Sequence, residues 1–104
     1  MFFNRKSYEK DVESAIMRRE LLEYYSQEYA RLSSEEYTKF CSTLTGTLKK
    51  GESISGDFFD QEKENNQKLL NKYLEIFDSI MEMEEDEMRR LYRSTFNRWR
   101  PEKQ

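Results

Sequence analysis

Residues 57–99 read DFFDQEKENNQKLLNKYLEIFDSIMEMEEDEMRRLYRSTFNRW, and this stretch decides the fold. From Leu69 onward its apolar residues recur in steps of three and four: Leu70, Tyr73, Phe77, Ile80, then Met88, Leu91, Thr95 and Trp99. Leu69, Leu74, Ile76, Met81, Tyr92 and Phe96 widen the stripe. Such steps place side chains on one face of a 3.6-residue turn. No glycine or proline interrupts the run before Pro101, and proline disfavours helix at the residue preceding it. The spacing therefore predicts one helix over about 57–100. Gly56-Asp57 is a start signal: Asp57 can cap, and Asp60, Glu62 and Glu64 sit near the positive end of the helix dipole. At ~1.5 Å per residue such a helix is about 65 Å long, too long for a compact domain of this size.

The stripe has one flaw. Residues 82–87 read Glu-Met-Glu-Glu-Asp-Glu, and Glu84 falls where a core residue belongs. One reading is a solvated stretch braced by Glu85–Arg89 and Asp86–Arg90 pairs four residues apart, each contributing roughly 0.2–0.5 kcal/mol. A second is an acidic surface for a basic partner, and an acidic metal site is a distant third. The stretch after it carries Arg89, Arg90, Arg93, Arg98 and Arg100 with Tyr92, Phe96 and Trp99 between them. The aromatics continue the stripe and the arginines complement the negative helix end. A basic element for a membrane surface or for nucleic acid is the lesser reading. The candidate charged contacts are Glu84, Glu85, Glu87, Arg89, Arg90 and Arg93.

Toward the N-terminus a second stripe runs through Tyr8, Val12, Ala15 or Ile16, Met17, Leu21, Tyr25, Tyr29 and Leu32, and on through Tyr37, Phe40 or Cys41, Leu44 and Leu48. It predicts a helix over about 5–45. Ser33-Ser34-Glu35-Glu36 fits a capping box that starts a new helix, yet two serines on the exposed face of one helix fit as well. The continuing stripe favours one helix with at most a kink near Ser33-Ser34. All three glycines fall at 46, 51 and 56, which marks a connector over about 46–56. The expected fold is all-α: one domain over residues 1–104, made of two long antiparallel helices paired as a hairpin. A hairpin cannot cover both of its stripes, so a partner or a second copy should complete it into a bundle. The candidate interface is Tyr25 and Tyr29 on the first helix and Phe40 before the connector. Phe58 and Phe59 follow it, with Phe77, Leu91, Tyr92, Phe96 and Trp99 along the second helix. Large aromatics dominate interface energetics, which puts weight on Tyr92 and Trp99.

Composition bounds the chemistry. Charged residues make up 38% and apolar ones 36%, a balance that leans toward disorder, but an aromatic content of 14% opposes it and indicates a thin amphipathic core. There is no histidine, which removes the commonest general base and metal ligand. Cys41 is alone, so it has no intrachain disulfide partner. Paired carboxylates need a desolvated pocket to act as acid and base, and a hairpin has none. The expectation is a non-enzyme with no cofactor, no metal and no small-molecule substrate. A net charge of −3 argues against nucleic acid. No apolar run resembles a membrane span or a Sec signal, so a cytoplasmic protein is expected, with non-Sec export only alongside a partner.

The layout resembles the small helical-hairpin proteins of Gram-positive type VII secretion, the WXG100 proteins and the helical partners of LXG-type toxins. The resemblance lies in the length, the two long helices, Phe40 before the connector and Phe58-Phe59 after it. It extends to the acidic-then-basic run from Glu84-Glu85-Asp86-Glu87 to Arg89-Arg90-Leu91-Tyr92-Arg93. The connector lacks Trp-x-Gly, and no Tyr-x-x-x-Asp/Glu signal follows the second helix. The resemblance thus implies a partner, chaperone or targeting factor for a secreted toxin rather than a protein exported by its own signal. Two other functions fit the residues: a self-associating four-helix scaffold dimer, and a phage or mobile-element inhibitor that binds a host protein through its acidic face.

Overall fold

The computed structural model describes the chain over residues 5–99, with side chains from 11 to 97. It is all-α: α1 spans Arg5–Lys49, α2 Gly56–Glu82 and α3 Glu85–Trp99, with no strand among the described residues. α1 runs unbroken through Ser33-Ser34, so the stripe, not the capping box, decides that segment.

The single helix expected over 57–100 is corrected: it is two helices, separated at Met83-Glu84. The acidic run explains the break. Glu85, Asp86 and Glu87 form the first turn of α3, where the dipole favours carboxylates, and the Met88 amide donates to the Glu84 carbonyl at 2.9 Å. Mid-helix, those same carboxylates would repel one another. At the other side of the corner, the Arg18 guanidinium holds the last carbonyls of α2. It donates to Ile80, to Met81 at 3.0 Å and to Met83 at 3.3 Å. Helix C-termini leave such carbonyls without intrahelical donors, so one arginine satisfies three of them.

The connector is also shorter than expected. Gly46 lies inside α1, and the helix ends at Gly51, whose φ of +78° is the left-handed region. Gly51 donates to the Leu48 carbonyl at 3.0 Å and Glu52 to the Thr47 carbonyl at 3.2 Å, the paired bonds of a Schellman stop. A Cβ at Gly51 would meet no atom within 4 Å, so Gly51→Ala costs backbone strain alone. Chemical denaturation should show a loss of about 1–2 kcal/mol for this variant and, in contrast, a gain of about 0.5–1 kcal/mol for Gly46→Ala, which has an ordinary helical backbone and open space at its Cβ.

The chain divides into two compact units, one of α1 up to Tyr24 with the chain from Phe77 onward, the other Tyr25–Ile76. In the first unit three helices meet. Leu21, Ile80 and Met88 are fully buried there, with Met17 and Thr95 beside them. Full burial of such side chains contributes roughly 1.5–3 kcal/mol each. α3 lies along α1 with numbers rising together: Arg89 pairs with Glu13 at 3.3 Å, the Tyr92 hydroxyl donates to Glu20, and the Phe96 ring meets Tyr24 edge-on at 5.6 Å. The chain therefore reverses at the corner, and α3 supplies the third wall of this core.

Candidate functional site

Among the described residues the second unit has no third wall. Its seam is made by Tyr29, Ser33, Glu36 and Phe40 of α1, one line at helical spacing. Phe40 stacks on Phe58 at 5.0 Å and meets Phe59 at 6.0 Å. Glu36 is beside Glu62, and Tyr29 packs on Tyr73 at 5.6 Å. Numbers rise along α1 as they fall along α2. Tyr73 is the one fully buried large side chain described in this unit, and its hydroxyl donates to the Glu28 carboxylate at 2.8 Å. Burial, then that bond, push its phenol up to about 12. Burial and the neighbouring Glu36 raise the Glu62 carboxyl above its usual value.

The two flanks of the seam differ. Residues one position before the seam line a charged groove, with Leu32, Glu35 and Lys39 facing Lys68 and Lys72. Residues one position after the seam turn about 100° the other way and line the opposite flank. These are Ser34, Tyr37 and Cys41 on α1, continued by Leu44 and Leu48, and Phe59, Leu70 and Leu74 on α2. Because the two helices are numbered in opposite senses, both sets fall on the same side. Tyr37 is 67% exposed, Leu48 57%, Leu74 46% and Phe59 43%; the first unit also exposes Val12, Ile16 and Met81, but around a fully buried centre of Leu21, Ile80 and Met88. The α1 strip Ala30, Ser34, Tyr37, Cys41, Leu44, Leu48 holds no charge. A contact with Cys41, one turn away, raises the Tyr37 phenol. On α2 the strip has one charged residue, Lys63.

No protein family, characterised protein or solved structure matches this chain. What the flank does follows from its own chemistry: exposed aromatic and aliphatic side chains, few charges and a helical spacing. Among the described residues no helix is long and apolar enough to cross a membrane.

The residues singled out in the sequence separate into three groups. Phe40 and Phe58 are the seam itself, half-buried against each other, with Tyr29 on Tyr73 and Tyr25 half-buried nearby in sequence. Only Phe59 of that set opens onto the flank. Phe77, Leu91, Tyr92 and Phe96 are half-buried in the three-helix unit, where Tyr92 stacks on Phe96 at 4.6 Å and its phenol is raised by the bond to Glu20. The Trp99 side chain lies outside the described residues. Of the charged set, Glu85 and Arg89 pair at 2.7 Å, as their spacing predicts, and Glu85 and Glu13 together raise the Arg89 guanidinium. Glu84, Glu87, Arg90 and Arg93 are exposed at the corner and along α3. Tyr37, Leu48 and Leu74 belong to the open flank although the stripe alone places them in the core. Their signal is the charge-free 4-3-4-3-4 spacing from Ala30 to Leu48.

Proposed function

We propose that this chain is a non-enzymatic helical interaction module whose open flank takes helices from another protein. α1 and α2 act as an antiparallel hairpin that the partner completes into a four-helix bundle. The observation that carries this reading is the open flank itself: nothing in the chain's described residues covers Tyr37, Leu48, Phe59 and Leu74, which lie together on a nearly charge-free side of the two-helix unit. Exposed apolar patches of this kind mark interaction sites. The resemblance to type VII partner proteins supports the specific form of a partner or targeting factor for a secreted toxin. A long helix of the client lies on the flank, which keeps the client soluble in the cytoplasm, and any export follows the client.

A photoreactive phenylalanine analogue at Tyr37, introduced in the native host, tests this. The expected product is an adduct with a different, helical protein, absent when the analogue replaces Arg19, which is 80% exposed in the other unit. Adducts only with further copies of the same chain, or none, would overturn the partner reading.

A further inference from the structure

We infer that when no other chain holds it, the open flank is closed by a second copy of the same chain, α1 strip against α1 strip about a two-fold axis. The inference rests on the flank being the interaction surface and names what regulates access to it. A two-fold contact is self-complementary, each residue i meeting a residue j and that j meeting i, so a patch without charges needs no partner of opposite sign at the matching position. The groove flank carries Glu35, Glu36, Lys39, Lys68 and Lys72, whereas the α1 strip carries no charge and suits self-apposition.

The order of residues in the strip fixes the register. Ala30, Ser34, Tyr37, Cys41, Leu44 and Leu48 alternate steps of four and three, the pattern with which paired long helices keep one seam in contact. The strip is small at one end and large at the other. Opposed head to tail about residue 39, Ala30 of one copy meets Leu48 of the second, Ser34 meets Leu44, and Tyr37 meets Cys41. Every layer then sets a small side chain against a large one, the arrangement that fills an interface without voids or clashes. A parallel pairing would set Ala30 on Ala30 and Leu48 on Leu48, leaving gaps at one end and crowding at the other. Phe59, Leu70 and Leu74 border the contact from α2.

Light scattering across a concentration series tests the association, with Tyr37→Glu/Leu48→Glu as the disrupting variant, both positions being more than half exposed. Lys39→Glu/Lys68→Glu, on the groove flank, is the control. The wild type and the control should reach twice the 12.8 kDa chain mass. The flank variant should keep the same helicity by circular dichroism and show a dissociation constant raised at least about 100-fold, equivalent to about 2.8 kcal/mol. Cys41 is the only cysteine, and in this register the two copies of it sit one helical turn apart across the axis, so a short bismaleimide should link them into a covalent dimer. A wild type that stays at 12.8 kDa overturns self-association while leaving a Tyr37 adduct with another protein intact. A dimer that survives the flank variant overturns the surface, and a dimer that the bismaleimide does not link overturns the register.

Discussion

Ile80→Ala should lower the stability of the fold by about 2–5 kcal/mol, while the neighbouring Met81→Ala changes it by less than about 0.5 kcal/mol. The two residues are adjacent in sequence and similar in volume. Ile80 is fully buried among Leu21 and Met88, and Met81 is 59% exposed. The difference is carried by α3. Met88, the residue that closes over this core, comes from the helix that reverses at Met83-Glu84. Without that reversal the first unit would be as open as the second, and Ile80 would be one more half-covered stripe residue. Removing its side chain leaves a cavity bounded by three helices, each held by other contacts and unable to collapse fully. The Arg18 clasp on the carbonyls of Ile80, Met81 and Met83 holds the end of α2 in place. Urea unfolding of the two variants beside the wild type reads the comparison directly. Equal losses would mean that α3 does not close the core and that the corner is not where the fold is fixed.

This corner also shows how far the sequence could be read. The stripe residues Tyr73, Ile80, Met88 and Thr95 are all buried, as their spacing predicts. The same spacing hides the reversal. Ile80 and Met88 are eight residues apart, and that interval keeps phase equally well in one continuous helix and in two helices that face the same core. Periodicity reports which residues face inward and not which way the chain then runs. The distinguishing signal was electrostatic: three consecutive acids after Glu84 suit a first turn and not the middle of a helix. The glycines differ from one another for a related reason. Composition marks Gly46, Gly51 and Gly56 alike, but only Gly51 takes the left-handed conformation that ends α1, and Gly46 stays helical, where a glycine costs only about 1 kcal/mol relative to alanine. At the candidate site the large aromatics are the most conspicuous residues of the sequence. Tyr92 and Phe96 turned inward onto Glu20 and Tyr24, because α3 had a wall to pack against. The surface left over is the one whose lack of charge, rather than whose size, sets it apart.

Tyr73 should give the second large effect, and its pH dependence identifies the cause. It is 2% exposed and is the main buried ring of the two-helix unit, so Tyr73→Ala should cost about 3–5 kcal/mol. Tyr73→Phe keeps the ring and loses only the bond to Glu28, a loss of about 1.5–3 kcal/mol for a hydrogen bond to a charged group. The sign of the alkaline effect follows from the raised phenol. In the unfolded chain a tyrosine ionises near pH ~10, and in the fold Tyr73 does so at about 12. Between those values the folded state holds a proton that the unfolded state has released, so stability falls as pH rises. The contribution is complete below pH ~10 and is lost by the time the pH passes the folded value, roughly 2–3 kcal/mol over the window. Denaturation midpoints at pH 9, 10, 11 and 12 should therefore fall steeply in the wild type and much less in Tyr73→Phe. Tyr92 provides the internal comparison, because its hydroxyl donates to Glu20 and its phenol is raised in the same direction. If the alkaline slope survives in Tyr73→Phe and disappears in Tyr92→Phe, the titrating bond that limits stability lies against α3, and the two-helix unit is held by the seam of Phe40 and Phe58 rather than by the buried phenol.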